Sequence, residues 1–115
     1  MRAARTILGA DPPPTAVLAF DDRSAGGLLD ALVRAGVDVP ADVSVVGYDD
    51  SPLSRLAHID LTTVSHNPRE LTGHAVAALV ERLDGGRTEH REVVVAAELV
   101  VRGTTGPSPN PTSAG

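Results

Sequence analysis

The sequence predicts an α/β domain with a parallel sheet built from βαβ units. Two observations carry this. Short apolar runs typical of buried strands, Ala16-Val-Leu-Ala-Phe20 and Val43-Ser-Val-Val-Gly-Tyr48, lie either side of a segment with helical spacing. Strand, helix and strand in that order make a crossover whose two strands run parallel. The apolar runs are continuous, so both strands are expected to be covered on both faces.

The elements follow in chain order. Ala3 to Leu8 is helix-compatible, and Asp11-Pro-Pro-Pro14 breaks it, so residues 1–13 are expected to be a residual helix and a Pro-rich linker. The first strand covers Ala16 to Phe20. Asp22 is placed to cap a helix whose apolar residues Ala25, Leu28, Leu29, Leu32 and Ala35 recur at three- and four-residue intervals, and Gly36 stops it. The second strand, Val43 to Tyr48, leads into Asp49-Asp50-Ser51-Pro52 and a short helix through Leu56. Leu61 to Ser65 reads as a third strand. Asn67-Pro68-Arg69-Glu70 combines a capping residue, Pro at the first helical position and Glu three residues after the cap. The helix it starts carries Leu71, Ala75, Val76, Leu79 and Leu83 as an apolar stripe and ends at Gly85-Gly86. Glu92 to Val101 is β-rich, with a short polar break at Glu98, and is expected to give one or two strands. The segment Gly106 to Gly115 is Pro, Ser and Gly and is expected to be a disordered tail.

Composition excludes several function classes. The chain has 115 residues, enough for one domain, and a formal net charge of −5. No basic stripe is available to neutralise phosphates, so the chain by itself is not expected to grip nucleic acid. Phe20 and Tyr48 are the only aromatic residues, too few for base-stacking or sugar-stacking platforms. With no cysteine, disulfides, thiolate metal sites and thiol nucleophiles are all excluded. All basic residues are arginine, which removes Schiff-base lysines, the Walker A lysine and the lysine of phospho-acceptor receiver domains. The patterns G-x-G-x-x-G, G-x-S-x-G and H-E-x-x-H do not occur. The absence of a long apolar run and of a leader-like start leads to the expectation of a cytoplasmic protein. Neither a catalytic group, a cofactor nor a bound metal is expected; His58, His74 and His90 have no partner at ligand spacing.

Two acidic pairs remain, Asp21-Asp22 after the first strand and Asp49-Asp50 after the second. In an open parallel sheet, ligands bind beyond the carboxyl ends of the strands. Asp21 and Asp49 therefore become candidates for one ligand site, with Asp22 assigned to helix capping. His66, directly after the third strand, falls at the same edge.

Taken together, Pro14-Thr-Ala-Val-Leu-Ala-Phe-Asp-Asp22, Gly26-Gly-Leu-Leu-Asp-Ala-Leu-Val-Arg-Ala-Gly36, Val39-Pro-Ala-Asp-Val-Ser-Val-Val-Gly-Tyr-Asp-Asp50, Leu61-Thr-Thr-Val64 and Glu98-Leu-Val-Val-Arg102 closely resemble the LacI/GalR family of bacterial transcriptional regulators. The resemblance covers Pro14 to about Thr105. It implies part of a two-lobed, type I periplasmic-binding-protein-like sensor domain over residues 14–105. It also implies a small polar effector such as a sugar, homodimerisation, and operator binding only through a headpiece that these residues do not include. By this resemblance Asp49 matches the family's effector-binding aspartate. Asp21 matches a ligand-touching position that is usually Asn, and His66 one that is often Gln. Ionised Asp accepts hydrogen bonds but cannot donate them, so the change at Asp21 implies an effector richer in donors, or an amine. The family's dimer contacts fall at Gly26, Leu28, Leu53, Leu56 and Ala57. The helix from Pro68 matches a segment that crosses to the other lobe, which implies an incomplete core and marginal stability for the chain alone. Two alternatives stay open: a truncated stand-alone dimerisation module, and a sugar-binding protein of a transport system.

Overall fold

The computed structural model describes residues 2–109. Helix α1 covers Arg2–Leu8. Strand β1 (Ala16–Leu18), helix α2 (Asp22–Arg34) and strand β2 (Ser44–Val46) form the expected βαβ unit. β1 and β2 are parallel, with Ala16 opposite Ser44 and Leu18 opposite Val46. A single 3-10 turn, Pro52–Arg55, precedes β3 (Thr63–Ser65), α3 (Pro68–Asp84) and β4 (Glu98–Val100). The third strand joins β2 in the same direction: Val46 bridges Thr62, the Gly47 N–H donates to Thr62 O at 2.9 Å, and the Asp49 N–H donates to Val64 O at 2.9 Å. β4 returns antiparallel to β3, with Thr63 opposite Val100.

The core lies on one face of this sheet. Ala25, Leu28 and Leu32 of α2 meet Val43, Val45 and Leu61, and Ala4 of α1 closes the cluster. Burying Leu28 and Leu32 stabilises by roughly 1.5–3 kcal/mol each. Gly36, at φ +74°, ends α2 with a left-handed residue, and the Val37 N–H then reaches Leu32 O at 3.0 Å.

Three expectations are corrected, for the faces of β1, the Asn67 cap and the break at Glu98. β1 is covered on one face only: Leu18 is 73 % exposed and Phe20 90 %. The core helices pack on a single side of the sheet, so the alternate residues face outwards. The stripe Leu71, Ala75, Val76, Leu79 and Leu83 is not buried, in line with the incomplete core the resemblance implies; among the described residues α3 has no buried position. Asn67 does precede α3, but its side chain makes no cap; it sits at φ 49° and donates to Ala96 O at 2.7 Å. The β-rich stretch yields one strand, which contains Glu98, the expected break. Residues 92–97 have no neighbouring strand and take no regular structure.

The consequence is an elongated shape. The radius of gyration is 19.2 Å and the extents are 59 × 36 × 25 Å. A compact domain of this length has a radius of about 13 Å. Part of the expected tail, residues 110–115, lies outside the described residues. At its start the Gly106 N–H donates to Ser44 Oγ at 3.1 Å.

Candidate functional site

The parallel strands end in the two acidic pairs, and their roles differ from the sequence expectation. Asp21, not Asp22, caps α2: its backbone is extended at φ −153°, and its Oδ1 accepts the Ser24 N–H at 2.7 Å. That backbone hydrogen bond is the largest influence on the Asp21 carboxyl, which is held below its ordinary value of 3.8. Asp22 is the first helical residue and is 1 % exposed. Its Oδ2 accepts the Ser51 N–H at 2.7 Å and its Oδ1 accepts the Thr63 hydroxyl at 2.5 Å. One carboxylate thus ties together the ends of β1, β2 and β3. Gly47 makes room for it, since a Cβ there would lie 2.5 Å from Asp22 Oδ1.

Asp49 and Asp50 follow at φ 120° and φ 52°, in the positive region that L residues rarely adopt. Asp49 is exposed. Asp50 turns inwards and pairs with Arg102 at 2.7 Å and Arg55 at 3.0 Å. Burial opposes its ionisation, but the hydrogen bonds from Arg102 and Arg55 outweigh that, so its carboxyl lies below 3.8.

The structure brings Asp21 and Asp49 into one cavity of about 600 Å³, lined also by Asp22, Arg23, Ser51, Pro52 and Leu53. Ser51 Oγ is buried there without a hydrogen-bond partner. Carboxylates and an unpaired hydroxyl in one concavity suit a ligand that offers several donors. His66 does not line this cavity. It is half-buried, with its ring set edge-on to Tyr48 at a centroid distance of 6.4 Å, and its Nδ1 is buried and unpaired. A larger concavity, about 900 Å³, runs along α3 between Pro68 and Glu81; it is a largely apolar strip of one helix and brings no second element to bear on a ligand. Among the described residues no cluster of three or more His, Cys, Asp or Glu is arranged to hold a metal.

The expected dimer residues divide. Gly26 and Ala57 line a groove of about 600 Å³ with Leu29, Val33 and Ile59. Leu56 is 44 % exposed, and Leu53 is half-buried, with a methyl 3.3 Å from where a Gly26 Cβ would stand. Leu28 is a correction: it points into the core at 7 % exposure and is not on an open face. Sequence reasoning also missed Ser51 and Thr63 at the site. The only sequence signal for them was position, a hydroxyl residue just after or within each strand-end segment.

Comparison with known proteins agrees with this architecture. The periplasmic binding protein-like domain family matches residues 1–105. The HTH-type transcriptional regulator MalR of Streptomyces coelicolor is 43% identical over 107 residues, which is 93% of this chain and 30% of the regulator. A LacI transcriptional regulator from a Rhodococcus species superposes with a TM-score of 0.86 at 47% identity, over 93% of this chain and 39% of that one. The regulator CelR, solved as a complex with cellobiose, superposes with a TM-score of 0.76 at 38% identity, over 90% of this chain and 32% of that one. The chain therefore spans about 30% of the length of the curated relatives it matches, and those relatives are transcriptional regulators rather than enzymes. The chain belongs to the periplasmic binding protein-like domain family, in the form carried by LacI-type transcriptional regulators.

Proposed function

We propose that this chain is the effector-sensing and dimerising part of a LacI-type regulator, and that its effector is a small polar molecule such as a sugar. The observation that carries the reading is the shared cavity of Asp21 and Asp49 at the carboxyl ends of β1 and β2. Asp49 accepts ligand hydroxyls from an exposed position. Asp21 accepts from them while its Oδ1 also caps α2. His66, beyond Tyr48, contributes from the start of α3. The cellobiose bound in CelR supports the sugar class. The groove beside Gly26, Leu29 and Ala57 receives the second protomer. Operator DNA is contacted by a headpiece outside these residues, in keeping with the net charge of −5. The protein works in the cytoplasm, where such regulators meet DNA; no helix among the described residues is long and apolar enough to cross a membrane. Calorimetric titration with a panel of mono- and disaccharides, cellobiose included, tests the reading. One saccharide should bind, and Asp49→Ala should abolish its binding. Binding unchanged in Asp49→Ala would overturn the assignment.

A further inference from the structure

Arg102 follows β4 by two residues and reaches back across the fold. Its backbone N–H donates to Thr62 Oγ1 at 2.9 Å. One guanidinium nitrogen donates to Leu61 O at 2.9 Å and to Ser54 Oγ at 3.1 Å, and the other donates to Asp50 Oδ1 at 2.7 Å. Its side chain is 17 % exposed and that of Asp50 13 %. The planar fork thus joins the Asp50–Ser54 turn to the segment leading into β3 at fixed angles, which the single ammonium of a lysine cannot do.

The segment it holds is the one that presents Asp49. Asp49 and Asp50 both sit at positive φ, and Ser51 is gripped from the other side by Asp22. Aspartate tolerates positive φ better than most residues, but two in succession are uncommon, so their conformation is held by contacts. The contacts available are the Asp49 N–H to Val64 O, the Asp50 N–H to Thr63 Oγ1 at 3.3 Å, the Ser51 N–H to Asp22, the Asp50 carboxylate to Arg102, Arg55 and the Ser54 hydroxyl, and Arg55 to the Asp50 carbonyl at 3.2 Å. Arg55 is 61 % exposed on its side chain and belongs to the same local turn. Arg102 alone of these cations brings in the β3–β4 ladder.

We propose that Arg102 is a positioning residue for the effector site: through Asp50 it sets the backbone at Asp49 and ties that backbone to the β3–β4 strand pair. A shift of β4 against the βαβ unit then reaches Asp49 through this side chain, beside the direct bonds of the Asp49 and Asp50 N–H groups to β3, and an effector held by Asp49 acts back on β4 by the same routes. The inference rests on the reading that Asp49 contacts the effector. Its test, however, needs no ligand.

The experiment is amide hydrogen exchange on the full chain and on Arg102→Gln, Arg102→Lys and Asp50→Asn, with Tyr48 fluorescence as a second readout. Tyr48 is the only tyrosine, there is no tryptophan, and it directly precedes Asp49. In Arg102→Gln the amides of Asp49 and Ser51 should exchange about tenfold faster or more, and Tyr48 emission should change, while Ala19 and Ser44, which donate to Val46 O and Thr15 O within the β1–β2 region, keep their rates. Asp50→Asn, which preserves shape, should reproduce the pattern. Arg102→Lys should restore only part of the protection, since one ammonium cannot serve Leu61 O and Asp50 together. Unchanged rates at Asp49 and Ser51, or a uniform rise across the chain in both Arg102→Gln and Asp50→Asn, would overturn the proposal. Failure of the effector reading would show separately, as saccharide binding indifferent to Asp49→Ala.

Discussion

Asp22 gives the sharpest test of how the site is held together. Replacing it with alanine removes the acceptor for the Ser51 N–H and for the Thr63 hydroxyl, at 2.7 and 2.5 Å, in a position only 1 % exposed. Each group left without an acceptor costs about 1–3 kcal/mol. The lost first-turn carboxylate of α2 adds roughly 0.3–1 kcal/mol. The sum is about 2–7 kcal/mol, a large share of the about 5–15 kcal/mol that holds a typical domain folded. Asparagine behaves differently. Its oxygen still accepts from Ser51, and its amide nitrogen donates to Thr63 Oγ1 once that hydroxyl rotates, so only charge assistance is lost, about 1–2 kcal/mol. Urea unfolding of the three proteins reads both values from the midpoints at constant slope. Should Asp22→Ala fall within about 1 kcal/mol of the wild type, or match Asp22→Asn, the argument that this carboxylate joins three strand ends would be refuted.

Three further outcomes follow from the same geometry. Asp21→Asn should leave the stability of α2 nearly unchanged, because Asn caps as well as Asp, while shifting saccharide preference towards ligands with fewer donors; calorimetry beside a thermal melt reads both. Gly47→Ala should destabilise by about 1–3 kcal/mol, since the new methyl would sit 2.5 Å from Asp22 Oδ1 and 2.7 Å from Leu61 Cδ2, both buried; a denaturation midpoint equal to the wild type would contradict the packing. The Asp50 carboxyl is held below 3.8 in the folded state by Arg102 and Arg55 against the opposing effect of burial. Its contribution is therefore fully present above that value and is lost as pH falls through the lower folded value, so acid unfolding should be shallower in Asp50→Asn than in the wild type.

The parallel βαβ unit was legible in the sequence because its signals are local. Continuous apolar runs mark β1 and β2, three- and four-residue spacing marks α2, and Gly36 marks its end. The resemblance to LacI-type regulators rested on the sheet strands and on α2, and it agrees with the family match. Less legible was which residues find a partner. The stripe on α3 has proper helical spacing, yet the pattern records only that a face is apolar, not that anything covers it. Leu18 and Phe20 stand exposed for the same reason. Within the site, sequence position indicated that Asp21 and Asp49 would share an edge, but could not separate the cap from the buried tie. Asp21 and Asp22 are adjacent and chemically identical, and only the start of α2, one residue earlier than the pattern suggested, decides which of them turns inwards. Arg102 was invisible as a site residue because its partner Asp50 lies far away along the chain.

The central claim is that the edge formed by Asp21 and Asp49 receives a small polar effector. Amide chemical-shift mapping of the labelled chain during titration with saccharides, cellobiose first, tests it most directly. The account predicts saturable shifts that are largest at Asp21, Asp49 and Ser51, with a smaller set at His66, all absent in Asp49→Ala. Saturable shifts confined to the α3 surface or to the groove beside Gly26 and Ala57, or shifts that persist in Asp49→Ala, would contradict it.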